Sequence, residues 1–203
     1  MRPILMNHKK LLDHFEIMTY NSSQDERKTM NVEKVIDFVE KVLKSRKKAI
    51  QTKSLDLSIS VQTQLAQVLE LIDAEKLKSL RILHVTNTEE IMPGNMKIPI
   101  DFEVSRNWSE FINLECLAVS NFVITSPFHL FHHVTDLFVA FRSIICADIY
   151  HVKYKLLKTK TDLYSNIFYE EFIDKSRLAS ILGPRRYIRE MWDFEVPDTD
   201  DRL

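Results

Sequence analysis

Leu114-Glu115-Cys116-Leu117-Ala118-Val119 sets apolar residues at its first, fourth and sixth positions. The spacing returns at Val134, Leu137 and Val139, and again at Leu80, Leu83 and Val85. Weaker copies stand at Tyr164, Ile167, Tyr169 and at Met191, Phe194, Val196. Thr52, Leu55 and Leu57 make a further copy, with threonine in the leading place. The leading positions are 52, 80, 114, 134, 164 and 191, at intervals of 28, 34, 20, 30 and 27 residues. A short strand recurring at such intervals, with helical sequence between, marks a strand–helix repeat. One unit cannot bury the apolar edge of its own strand, so units must stack to share a core.

The segments between the strands agree. Val32, Val35, Ile36, Val39, Val42 and Leu43 recur at helical spacing, and Lys44, Arg46, Lys47 and Lys48 place positive charge on the closing turn. Ser54–Ser60 then alternates as a half-buried strand. Val61, Leu65, Val68, Leu69 and Ile72 form a second helical face, and Ile145, Ile149, Val152 and Leu156 a third. Ser105–Ile112 reads as a short helical turn, and Thr86–Val104, with Pro93-Gly94-Asn95, as the longest loop. Asp174 is placed to cap a helix bearing Leu178, Ile181 and Leu182, which Gly183-Pro184 ends. The expected fold is α/β: an irregular leucine-rich-repeat-like strand–helix solenoid with a curved, mainly parallel sheet of about six strands. It occupies residues 31–203, after a flexible, polar segment at 1–30.

Composition narrows the function. A formal charge of −1 gives no whole-chain attraction to nucleic acid or anionic membrane. No apolar run approaches the roughly 20 residues that cross a bilayer. The first ten residues do not read as a signal peptide. Cys116 and Cys146 are isolated, which suits a reduced compartment, so the expected location is cytoplasmic or nuclear. Glycine occurs only at Gly94 and Gly183, which excludes a GxGxxG fingerprint, a Walker loop and a GxSxG elbow.

Several segments match a known family. Val35–Ser60, a helix with a basic end followed by a Leu-rich strand, resembles the opening of the FTH domain of nematode F-box proteins. Gln67–Ile82, Asn107–Val119, Ile181-Leu182-Gly183-Pro184 and Asp193–Asp201 are similar to later parts of that domain. The FTH domain is a C-terminal domain of unknown biochemical function. The resemblance implies a protein-binding surface, the substrate-recognition half of a ubiquitin-ligase adaptor. Residues 1–30 hold no recognisable F-box, so recruitment of the ligase core is not expected. Competing readings are a ligase-uncoupled scaffold or decoy, an RNA-associated factor and a small thiol hydrolase.

Catalytic and metal-binding constellations are thin. His129, His132 and His133 share helical spacing but lack a nearby fourth ligand. Neither cysteine sits beside a sequence partner that would activate it, and Glu89-Glu90 and Glu170-Glu171 read as solvated charge. No enzyme activity, cofactor or metal is expected. Alternation along a strand points to a surface instead. If the three apolar positions face inward, Asp56, His84, Ala118, Phe138, Phe168 and Glu195 face outward, with Ser54, Ile82, Cys116, Asp136, Asn166 and Asp193. The candidate protein-binding surface is Ile82, His84, Asp136, Phe138, Asn166 and Phe168.

Overall fold

The computed structural model describes residues 11–18, 32–46, 48–85, 98–103, 108–158, 165–177, 186–188 and 191–193. One sheet of eight strands dominates. Its strands are β1 (Leu12–Ile17), β2 (Thr52–Ile59), β3 (Ser79–His84), β4 (Ile98–Ile100), β5 (Cys116–Ser120), β6 (Phe122–Ile124), β7 (Asp136–Ile144) and β8 (Asn166–Phe172). The order is β1-β2-β3-β5-β7-β6-β4, with β8 also on β7. Every pairing in it is parallel, and the sheet is curved. The described α-helices are α1 (Val32–Lys44), α2 (Gln62–Leu69) and α3 (Cys146–Lys158). The α/β class and the curved parallel sheet are as the repeat predicts.

The repeat spacing has a structural cause. Its leading residue lies in the turn before the strand, or in β2 at the strand's first residue, and the next two are inward positions two apart. Leu114 precedes β5, Val134 precedes β7, and both are buried. The inward residues then form continuous rows across the strands. Leu55, Leu80, Leu117 and Leu137 are in register, as are Leu57, Ile82 and Val119 and, on the far side, Val139 and Ile167. These rows correct the third unit, which is Leu77, Leu80 and Ile82 rather than Leu80, Leu83 and Val85. Leu77 and Ile82 are fully buried, while Leu83 and Val85 are only half-buried. Leu80 and Leu83 lie three apart within one strand and so fall on opposite faces.

Three further corrections concern elements. Residues 12–17, read as part of a flexible segment, form β1 and add to the sheet edge through pairs from Leu12↔Thr52 to Ile17↔Leu57. Their pattern is too irregular to signal a strand: only Ile17 is fully buried. The loop expected over 86–104 contains β4, an edge strand that tolerates Pro99 because one of its sides makes no ladder bonds. The copy led by Met191 does not enter the parallel sheet. There β10 (Met191–Asp193) pairs antiparallel with β9 (Arg186–Ile188) in a separate hairpin. Tyr164, Phe194 and Val196 lie outside the described residues.

Between β5 and β6, Asn121 takes φ 63. That left-handed residue bends one run into two strands, and both pair with β7: Cys116–Ala118 along its start, Ile124 against Phe141. Asparagine suits the position because its short polar side chain tolerates this region better than most.

Helices and turns fill the inner side. Ile36 and Leu43 of α1 and Leu65, Val68 and Leu69 of α2 join the strand rows in one core. Phe102, Trp108, Phe111, Phe128, Phe131 and Phe141 form a linked aromatic cluster, with Phe102 and Trp108 centroids 4.5 Å apart. The indole N–H of Trp108 donates to the Leu130 carbonyl at 3.3 Å. The helix expected after Asp174, with Leu178, Ile181 and Leu182, lies outside the described residues. The Asp174 carboxylate accepts the Cys146 N–H at 2.6 Å, at the start of α3.

Candidate functional site

Strand alternation leaves the other side of the sheet facing out. Its middle row runs Glu16, Asp56, Arg81, Ala118, Phe138 and Asn166, neighbours by register. The row before it carries Ser54, Ser79, Cys116 and Asp136. Beyond it, Ala140 sits beside Phe168 and Arg142 is paired with Glu170.

Four of the six predicted surface residues come together here, and two do not. Asp136, Phe138, Asn166 and Phe168 face outward on β7 and β8. Ile82 is 0% exposed, in the inward row between Leu57 and Val119. His84 is also buried: its Nε2 lies 3.2 Å from the Ser60 carbonyl and its ring meets Phe122 edge-on at 5.0 Å. Both misplacements follow from starting the third unit at Leu80. Burial pushes the His84 imidazole below its ordinary range, which keeps it neutral.

Phe138 is 37% exposed and Phe168 60%, while Ala140 is buried. The two phenylalanines are diagonal neighbours, since Phe138 pairs with Asn166 and Phe168 with Ala140. Ala118 beside Phe138 and Ala140 beside Phe168 set small side chains next to the two exposed rings. Ala118 was read as outward from the sequence and Ala140 was overlooked; the signal was a small residue at an outward position next to an aromatic one.

Charge on the sheet is paired strand by strand. Lys53 holds Asp13 at 2.8 Å, Arg81 holds Asp56 at 3.3 Å, Lys78 joins Glu115, and Arg142 faces Glu170 at 3.8 Å. These pairs link β1 to β2, β2 to β3, the feet of β3 and β5, and β7 to β8. Among the described residues no such pair joins β5 to β7. There Asp136 stands opposite Cys116, and its Oδ1 is buried without a hydrogen-bond partner.

A second cluster lies where the turn before β7 meets α3. His132 and His151 stack at 3.7 Å with their planes 8° apart. The Lys155 ammonium donates to the carbonyls of His132 and Val134. Phe128, Phe131, Thr135, Leu137, Val152 and Ser165 complete the small pocket around them. Burial, the neighbouring His151 and His129, Lys155 and His133 push His132 down to about 4, and burial also lowers Lys155. Among the described residues no group of three or more His, Cys, Asp or Glu is placed to hold a metal ion. Both thiols are raised, Cys116 and Cys146 alike by burial first. A raised thiol is a poor nucleophile at neutral pH.

Comparison with known families is decisive on one point: the model of the FTH domain matches residues 33–185. The chain belongs to the FTH domain family. The FTH match takes in β2 to β8, while β1 and the β9–β10 hairpin lie outside it. The C-terminal resemblance at Asp193–Asp201 also lies outside it. No curated protein and no solved structure matches the chain. The FTH family is one of unknown biochemical function, so membership carries the fold and not an activity. No described helix is long and apolar enough to cross a membrane.

Proposed function

We propose that this FTH domain is a non-catalytic protein-recognition module whose contact surface is the outward face of β7 and β8. The observation that carries it is the exposed pair Phe138 and Phe168 on a sheet face whose other charged residues are mostly matched across strands. Aromatic groups set over small neighbours are the usual anchors of protein interfaces. Acidic Asp56, Asp136 and Glu170 offset Arg81 and Arg142 on this face, which offers a phosphate backbone no net attraction. The raised thiols weigh against a hydrolase. By family resemblance the role is that of the substrate-recognition half of an F-box adaptor.

The test is the double substitution Phe138→Ala with Phe168→Ala. Surface changes of this kind shift stability by only about 0.5 kcal/mol, whereas loss of two interface anchors costs about 2 kcal/mol or more of binding. A partner recovered by crosslinking to the wild-type chain is then titrated against both proteins. The proposal requires at least about a 30-fold weaker complex with the fold intact. Unchanged affinity, or unfolding of the variant, would refute it.

A further inference from the structure

Asp136 is the one outward carboxylate on β7, and it stands at a strand step that no ion pair among the described residues spans. One of its oxygens is buried without a donor. Lys155, whose charge acts on Asp136, is already committed to the His132 and Val134 carbonyls. Asp136 as a whole is only half-buried, so its carboxylate stays within reach of a cation arriving from outside. Four residues further along the same strand lies the small Ala140, beside the exposed rings of Phe138 and Phe168. At about 3.3 Å per residue the two features are about 13 Å apart. That is the reach of an extended five-residue segment, whose first and last side chains point the same way.

We propose that this face binds an extended protein segment with Lys or Arg four residues from an aliphatic or aromatic side chain. The cation sits on Asp136 and the apolar side chain packs over Ala140 against Phe168, with Phe138 packing against the residues between. This rests on the protein-recognition reading above and adds the chemistry of the partner.

The probe is a library of heptapeptides Ser-X-Thr-Ser-Thr-Z-Ser, with X and Z varied through all residues, bound to the full chain at low salt. Wild type should enrich Lys or Arg at X about tenfold over Glu, together with an apolar Z, and the X preference should fade at high salt. Asp136→Asn should erase the preference at X and keep that at Z. Asp136→Lys should reverse it toward acidic residues, which a merely misfolded variant would not do. Phe138→Ala with Phe168→Ala should erase the preference at Z. An apolar Z with no charge preference at X would overturn the inference while leaving the recognition reading in place. So would enrichment of Glu at X, or no enrichment at all. A wild-type dimer that the phenylalanine substitutions dissociate would also overturn it, by making the occupant a second copy of the chain. The recognition reading itself stands or falls separately, on the partner titration with the double variant.

Discussion

His132 and His151 can stack at 3.7 Å only while at least one ring is uncharged. His129, His133 and Lys155 add positive charge around the pair, and burial removes water, so the folded His132 protonates at about 4 against an ordinary 6.5. Between those values the unfolded chain binds a proton that the folded chain refuses, so acid favours unfolding. The stabilising contribution is whole above about pH 6.5 and is lost as pH falls toward 4. Allowing for partial exposure, it amounts to about 1–2 kcal/mol. His132→Phe keeps a ring against His151 and removes the proton. Urea titrations from pH 7 to pH 4 should show a flatter pH dependence by that amount; an unchanged slope would mean that His132 titrates normally. The histidine run at 129–133 was visible in the sequence, but its stacking partner on α3 was not, because only the fold brings them together. Ile82 and Leu83 show the same limit. Adjacent apolar residues do not reveal which one faces in until neighbouring strands fix the register.

At the scale of the element, Asn121 is the informative position. Its φ of 63 divides β5 from β6 and lets one run serve β7 at two places. A β-branched residue there pays a steric penalty of about 1–2 kcal/mol. Asn121→Val should lower stability by that amount in urea unfolding, while Asn121→Gly should stay within about 1 kcal/mol of wild type. Equal effects from the two would mean the bend does not depend on backbone freedom. The strands β2, β5 and β7 and the helices α1, α2 and α3 were legible from periodicity. The short β4 and β6 were not, since three residues carry too little pattern to separate strand from loop. Nor was β1, whose burial comes from the edge it joins rather than from its own alternation.

For the whole molecule, the inward leucine row runs unbroken through β2, β3, β5 and β7, so these strands have packed neighbours on both sides. β1 closes one edge and is held from one side only. Stability should be graded accordingly, as it is in stacked repeats. Native-state hydrogen exchange should give the highest opening free energies at Leu80, Leu117, Leu137 and Val139. The lowest within the sheet should fall in β1. Equal values throughout would show a single all-or-none unit. The stacked architecture was readable because it rests on a recurring spacing. The outward surface was read correctly at Phe138 and Phe168, where the repeat start was right, and wrongly at Ile82 and His84, where it was three residues late.

The pairing of β1 with β2 also sets an order of events at the ribosome. Leu12 meets Thr52, forty residues later in the chain. At about 5–20 residues per second, β1 waits about 2–8 s after its own synthesis before its partner exists. During that interval it is a nascent strand with unmatched backbone groups, and only the finished β2 can template it. Assembly at this edge therefore runs against the direction of synthesis, with the earliest strand docking onto a later one.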